Sequence, residues 1–201
     1  GGGKLIVCSA DLTSDLAARP VARQMRHSLL RYSGSDAFAP SVSVDIDDNH
    51  DLFREPTMMQ RFGATIKSHS APTDNPPEYA IDGDTKTSWH TVWEPAPTPM
   101  PHSLVLDLRE IRRVDGVKVV PRQDQSNGRI ADYAIHLSAD GRLWGSAVAS
   151  GTFPPGPATQ TIKFAQTRLT RFIKFVLKSA VDGKSHASAA EIDVILADEA
   201  P

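Results

Sequence analysis

The stretch from residue 79 to residue 93 concentrates side chains that could do chemistry. Its first half places Asp82, Asp84 and Thr87 around a glycine, so two carboxylates, a hydroxyl and several carbonyls share one turn. Calcium takes about six to eight oxygen ligands of these kinds in flexible geometry. A further carboxylate has to come from elsewhere, and Glu191, at the start of the last predicted strand, is the best candidate. An Asp-Gly-Asp sequence alone is more often a plain turn, and that alternative stays open.

The second half of the same stretch carries aromatic and hydrogen-bonding groups, namely Trp89, His90 and Trp93. A sugar needs directional partners for its hydroxyls and a flat apolar surface for its C–H face. Arg122 offers a planar fork of donors and Asn127 an amide. This set indicates a carbohydrate site in which Trp93 could stack on the ligand.

The composition excludes several function classes. The chain is 40% hydrophobic and 23% charged, with a net charge of -2, which is typical of globular proteins. Nucleic-acid binding needs a concentrated cationic face, and no apolar run is long enough to span a bilayer. Glycoside hydrolysis needs two carboxylates beside a cleft, and the best-placed ones are assigned to the cation. We therefore expect no nucleic-acid partner, no membrane span and no catalytic site in this chain.

Residues 1–34 predict a strand–helix fragment of a preceding α/β domain. The apolar run from residue 4 to residue 9 predicts a short buried strand, with Cys8 as a buried thiol. Pro20 suits the first position of a helix, and Gly34 suits its end. A lone strand cannot satisfy its own edges, so this fragment is expected to dock on another part of the protein.

Residues 35–61 are polar and irregular and predict a linker. Their acidic cluster, Asp45 to Asp51, could be a second metal site, although solvated acidic runs are commoner. From Gly63 onwards, short strands alternate with turns, and residues such as Leu104 and Leu106 show period-two alternation. The eight predicted strands cover residues 64–69, 103–108, 114–120, 130–138, 146–149, 160–164, 168–178 and 190–197. They predict a mainly β fold, an eight-stranded antiparallel jelly-roll β-sandwich over residues 62–198, after a small N-terminal α/β segment.

Several motifs in residues 62–198 together resemble a coagulation factor V/VIII type C (discoidin) domain, in particular carbohydrate-binding module family 32. They are Asp82-Gly-Asp84, Trp89-His90-Thr-x-Trp93, Pro121-Arg122-Gln-Asp124, Asn127-Gly-Arg-Ile130, Ser138-x-Asp-Gly141 and Ala187-Ser-Ala-Ala-Glu191. The resemblance implies a galactose-binding-domain-like jelly roll with a structural Ca2+. The matching ligands are Asp82, Asp84, Thr87 and Glu191, with carbonyls near Tyr79 and Ala190.

The same resemblance implies a site for galactose-type or N-acetylgalactosamine-type sugars. His90, Arg122 and Trp93 match the residues that bind galactose in that family, and Asn127 could add an amide. The family pattern buries the residue at the position of Trp89, so the resemblance implies that Trp89 belongs to the core and that Trp93 faces the sugar. Many members carry an aromatic residue in the late loop, where this chain has His186. His186 can still contact a sugar but stacks less well, which is expected to alter affinity or preference. His102 and His136 are expected to be surface or strand residues.

The N-terminal fragment resembles the C-terminal α/β region of bacterial family 2 glycoside hydrolases, through Gly3-Lys-Leu-Ile-Val-Cys-Ser-Ala-Asp-Leu, Arg19-Pro-Val-Ala-Arg-Gln and Ser28-Leu-Leu-Arg-Tyr. That resemblance implies a family 2-like parent enzyme, which the module would target to glycans. It also implies a secreted, periplasmic or cell-surface location in a bacterium. The alternative is a structural or protein-interaction module that packs against the parent enzyme without binding sugar.

Overall fold

The computed structural model describes residues 3–43 and 54–197. The chain divides into two compact units, of which the first ends at Arg54 and the second begins at Glu55. This division lies earlier than the predicted boundary at residue 62, because a short helix within the predicted linker packs on the second unit. The acidic cluster considered as a second metal site, Asp45 to Asp51, lies outside the described residues.

The first unit contains the predicted helix, α1, at Pro20–Ser33. Proline occupies its first turn, and the N–H of Gly34 closes its end on the carbonyl of Leu30. The predicted strand at residues 4–9 is wrong: this segment is exposed, and it pairs with no strand in the part of the chain that the structure describes. Cys8 is exposed too, so the predicted burial of its thiol is also wrong. An apolar run becomes a buried strand only where a neighbour satisfies its backbone.

The second unit opens with helix α2, Met58–Phe62. Thr57 and Gln60 form a reciprocal capping box at its start. The Asp193 carboxylate accepts the N–H groups of Met58 and Met59 at 3.2 and 3.1 Å. These bonds fix the helix to the last strand of the sandwich, since they satisfy N–H groups that a helix start leaves open.

Eight strands are present among the described residues of this unit. They are β1 Thr65–Ser68, β2 Trp89–His90, β3 His102–Val120, β4 Asp132–Ser138, β5 Ala149–Thr152, β6 Gln160–Leu177, β7 Ser188–Ala189 and β8 Glu191–Leu196. The number of strands agrees with the prediction, but the boundaries between the strands do not. Two pairs of predicted strands are single long strands, β3 and β6, and the two-residue strands β2 and β7 were not predicted as strands of their own. The predicted strand at residues 146–149 starts later, because Asp140 accepts the N–H groups of Arg142 and Leu143 and prolongs the turn.

All the strand pairs are antiparallel, and the long strands β3 and β6 bend so that they serve both layers of the sandwich. The first half of β3 pairs with β1 and its second half with β8. A register shift between Asp107 and Arg112 marks the bend, where Arg109 adopts a left-handed φ of 70°. The predicted alternation is confirmed, since Leu104, Leu106 and Leu108 are buried in one core. The antiparallel jelly-roll prediction is therefore confirmed.

Three loops meet at the end of the sandwich where β8 begins. Strand β2 pairs with β7, the N–H of Ser188 bonds to the carbonyl of Gly128 at 2.7 Å, and the N–H of Thr91 bonds to the carbonyl of Ala187 at 2.9 Å. The loops that contain residues 79–93, 121–131 and 178–187 are thereby brought together. Among the described helices, none is both long and apolar enough to cross a membrane.

Candidate functional site

The acidic loop is a tight turn closed by its own side chains. The Asp82 carboxylate accepts the N–H of Asp84 and the hydroxyl of Thr87, each at 2.8 Å. The Thr87 hydroxyl also lies 2.9 Å from the carbonyl of Asp84. Gly83 has a φ of 78°, and a Cβ there would fall 2.7 Å from the Gln60 amide. The positive φ favours glycine at this turn, and any other residue would also displace the end of the Gln60 side chain.

Glu191 connects this loop to the last strand, in agreement with the prediction that it supplies a further carboxylate to the loop. The residue is 5% exposed, and its Oε2 atom accepts the N–H of Gly83 at 2.9 Å. Ala190 is held beside it, because its N–H bonds to the carbonyl of Val120 at 2.9 Å. Tyr79 lies in the 3-10 helix, Pro77–Ala80, that leads into the loop. The structure thus gathers the predicted metal ligands at one junction.

The donor set suits calcium in type, since it consists of carboxylates, a hydroxyl and carbonyls. Its acceptors, however, are engaged by N–H and O–H donors of the loop itself. In residues 3–43 and 54–197, no three acidic, histidine or cysteine side chains form a group that could hold a metal ion. A bound calcium ion would have to take over acceptors that now receive hydrogen bonds. Calcium binding here stays a prediction.

His90 lies at the centre of the second half of the loop. It is 1% exposed, and its Nδ1 atom lies 2.5 Å from the carbonyl oxygen of Thr91. A carbonyl only accepts, so Nδ1 carries the hydrogen and Nε2 keeps its lone pair. Asn127 Nδ2 lies 3.5 Å from that Nε2 atom. Burial lowers the pKa of His90 against the opposing hydrogen bond to Thr91, and the nearby charges of His186 and Arg122 lower it further. The ring is neutral at pH 7 and presents an acceptor.

Two more rings pack against His90. Trp93 meets it edge-on, with ring centroids 4.8 Å apart and an interplanar angle of 82°, and is 41% exposed. His186 lies on another side at 5.1 Å. Trp89, in contrast, is fully buried in the core. The predicted separation of the two tryptophans, Trp89 inward and Trp93 outward, is confirmed.

Arg122 is held by a partner that sequence reasoning missed. Its Nε and Nη2 atoms donate to the two carboxylate oxygens of Asp124 at 2.6 and 2.9 Å. Hydrogen bonding to Arg122 keeps the pKa of Asp124 below its usual value. The pair fixes the guanidinium plane, whose side chain is 15% exposed. The spacing of Arg122 and Asp124, two residues apart, was the signal for this pair.

Asp182 is a second residue that sequence reasoning missed. One of its carboxylate oxygens lies 3.3 Å from His186 Nε2 and accepts the N–H of Gly128, also at 3.3 Å. The other accepts the N–H of Lys184 at 3.1 Å. Burial alone raises the pKa of Asp182, but the N–H groups of Lys184 and Gly128 reverse this and hold it below its usual value. A carboxylate four residues before a histidine was the available signal.

The predicted ligand-binding residues thus form one group. Contacts join His90 to Trp93, His186 and Asn127, and the charge of Arg122 acts on His90. The group offers an acceptor on a neutral imidazole, an oriented fork of donors, and an exposed aromatic ring. These are the elements that a small polyhydroxylated ligand with an apolar face requires.

Comparison with known proteins assigns the second unit. The family model described as F5/8 type C domain matches residues 64–192. The chain belongs to the F5/8 type C domain family. Residues 1–54 match a family described as Domain of unknown function (DUF8487). The predicted discoidin-type family is therefore confirmed, whereas the family 2 glycoside hydrolase context of the N-terminal fragment stays a prediction.

Curated relatives of this F5/8 type C domain are much longer proteins. Galactose oxidase of Gibberella zeae is 37% identical over 134 residues, which cover 66% of this chain and 20% of the relative. The sialidase of Micromonospora viridifaciens is 38% identical over 115 residues, which cover 57% of this chain and 18% of the relative. The chain therefore spans about a fifth of the length of the curated relatives it matches.

Solved structures similar to the F5/8 type C domain include two modules with bound sugar. The family 32 CBM from C. perfringens NanJ, in complex with galactose, is 31% identical with a TM-score of 0.62, and the match covers 69% of this chain and 97% of that one. CpGH89CBM32-5 from Clostridium perfringens, in complex with GalNAc-beta-1,3-galactose, is 28% identical with a TM-score of 0.64, and the match covers 69% and 99%. The predicted family 32-like jelly roll is confirmed by this likeness.

Proposed function

We propose that the F5/8 type C domain of this chain is a non-catalytic carbohydrate-binding module that favours galactose-type sugars. The observation that carries the proposal is the group of polar and aromatic side chains around the neutral ring of His90. It is supported by the two similar modules, one in complex with galactose and one with GalNAc-beta-1,3-galactose.

Each side chain has a separate task in the proposed complex. His90 Nε2 accepts a sugar hydroxyl, and Arg122 donates to an adjacent one, because its guanidinium has more N–H groups than the pair with Asp124 uses. Trp93 packs on the C–H face of the ring. Since His90 is 1% exposed beneath Trp93 and His186, Trp93 swings from its edge-on position when the sugar enters. His186 and Asn127 complete the wall.

The expected affinity is weak. A few hydrogen bonds and one stacked ring supply about 4–7 kcal/mol, which corresponds to a Kd of roughly millimolar to tens of micromolar. The test is a titration of the full chain with galactose and with N-acetylgalactosamine, followed by NMR. The variant Arg122→Ala is expected to abolish the response.

The chain offers a matched control for this variant. Arg171 forms the same two-bond pair with Asp107, at 2.8 and 2.9 Å, away from the site. Arg171→Ala is expected to bind galactose as the unaltered chain does. If no sugar binds the unaltered chain, or if Arg122→Ala binds as well as Arg171→Ala, the proposal is overturned. The first outcome would favour a structural module that packs against a parent enzyme.

We further infer that the module belongs to a larger glycoside hydrolase, of family 2 type, that acts outside the cytoplasm of a bacterium. A tethered module raises the effective concentration of the enzyme at its glycan. The chain covers only about a fifth of the length of these curated relatives, which supports a larger parent protein. The test is hydrolysis of an immobilised galactoside by the complete protein, which should slow on Arg122→Ala while hydrolysis of a small soluble substrate stays unchanged.

The proposal also includes a structural Ca2+ at the acidic loop. Asp82, Asp84, Thr87 and Glu191 would supply side-chain oxygens, and Tyr79 and Ala190 would supply carbonyls. Supporting this is the contact of Glu191 with Gly83, which brings a buried carboxylate to the turn. The ion would tie the loop to β8 and so contribute stability rather than chemistry.

A further inference from the structure

His102 lies under the late loop, residues 182–186, and is not part of the proposed sugar site. It begins β3, as its predicted strand position allows, but it is fully buried. Its Nε2 atom lies 2.6 Å from the carbonyl oxygen of Ser185. Its Nδ1 atom is buried, and no residue that the structure describes gives it a hydrogen-bond partner. His69 stacks on the ring at 5.5 Å. Among the described residues, the ring therefore supports the loop through its one hydrogen bond, to Ser185.

This geometry admits only the neutral form of His102. The carbonyl of Ser185 accepts, so Nε2 carries the hydrogen and Nδ1 holds a bare lone pair. A second proton would create a buried N–H with no acceptor, and such a group is costly. Burial accordingly lowers the pKa of His102, against the opposing effect of the Ser185 carbonyl, and the charges of His69 and His186 lower it further.

The loop that His102 supports carries a wall of the sugar site. His186 follows Ser185 and packs on His90 at 5.1 Å. The charged and titratable groups that face this region are His69 beside His102, and Asp182, Arg122 and His186 beside His90. His186 Nε2 lies 3.3 Å from the Asp182 carboxylate, and this contact opposes loop release. At the Ser185 end, the carbonyl also favours the protonated ring of His102, but the burial of the ring outweighs this effect.

We propose that His102 is a positioning residue that makes the sugar site sensitive to acid: the protonated ring is not stable in this buried position, so it leaves together with Ser185, and His186 leaves its place beside His90. This inference rests on the proposed function. The sign follows from linkage. The ring binds protons less readily in place than when released, so the support is complete above pH ~6.5 and declines as the pH falls below that value.

The first test needs no sugar. Amide signals of Ser185 and His186 in the full chain are followed by NMR from pH 8 to pH 5. A transition with its midpoint below pH ~6.5 is expected. His102→Gln should remove it, because the amide still donates to Ser185 but does not titrate. His69→Gln is the matched control, since His69 is exposed, and it should keep the transition.

The second test measures galactose affinity at pH 7.5 and pH 5. We expect a loss of at least about threefold in the unaltered chain and a smaller loss in His102→Gln. The loss of affinity that remains in His102→Gln is attributed to protonation of His90, which this variant still carries. Unchanged loop signals, or a full transition in His102→Gln, would overturn the inference.

Failure of the proposed sugar-binding function and failure of the inference on His102 give different results. If galactose does not bind at pH 7.5, the proposed function fails, and the loop titration still decides the role of His102. If His102→Gln does not fold, the ring signals of His102 in the unaltered chain decide instead. A midpoint at or above pH ~6.5 for those signals contradicts the inference.

Discussion

The two halves of the stretch from residue 79 to residue 93 differ in what their side chains contact. In the first half, Asp82 and Thr87 bond to each other, and Gly83 bonds to the buried Glu191. In the second half, His90 contacts Trp93 and the side chains of His186 and Asn127, which lie in two other loops. One half fastens the loop to the sandwich and the other presents polar and aromatic groups. Stability and sugar binding should therefore respond to different substitutions within one loop.

The two tryptophans give the largest expected contrast. Trp89 is fully buried in the core, so Trp89→Ala is expected to lower the free energy of unfolding by about 3–5 kcal/mol. Trp93 is 41% exposed, so Trp93→Ala should cost less than about 1 kcal/mol and should remove the sugar response. Urea unfolding of both variants measures the difference. Equal losses of stability would contradict the separation of the two halves.

Removal of calcium should lower stability next most strongly. A chelator is expected to lower the free energy of unfolding of the full chain by about 2–3 kcal/mol, as loss of an ion present at roughly a hundred times its Kd would. Glu191→Gln should remove most of this response, as followed by thermal melting with and without chelator. Glu110→Gln is the control, because that carboxylate pairs with Arg112 at the surface. No effect of chelator on the unaltered chain would refute the calcium site.

The late loop should give the smallest effect, and it should affect binding alone. His186→Trp restores the aromatic residue that many family members carry there. Additional stacking is expected to contribute about 1 kcal/mol, close to a fivefold lower Kd for galactose. Calorimetric titration measures this change, and the melting temperature should stay the same. Weaker binding in the variant would show that the imidazole and its pair with Asp182 serve the sugar directly.

Much of the second unit could be predicted from its sequence. Alternating residues such as Leu104 and Leu106 define the core because side chains in a strand alternate between faces. Glu191 was assigned to the acidic loop as the missing carboxylate, and the structure places it there. The bends of β3 and β6 were not predicted, because a bulge such as that near Arg109 interrupts the pairing only locally, so one strand continues across polar residues.

Long-range partners set the limit of prediction. The role of Asp182 depends on Gly128, whose N–H group another loop brings to the carboxylate, and spacing in the sequence does not fix that contact. The burial of His102 depends on the Ser185 carbonyl, far away in sequence. In the first unit, the apolar run at residues 4–9 suggested a buried strand, yet burial requires a neighbour that the run does not encode.

The most direct test of the central claim is a map of NMR shift changes on addition of galactose to the full chain. The signals of the Trp93 indole N–H, the Arg122 side chain and the His186 amide are expected to move together and saturate with one Kd. The signals of the Trp89 indole and of Arg171 should stay in place. Changes confined to the acidic loop or to the far end of the sandwich, or no changes at all, would contradict the account.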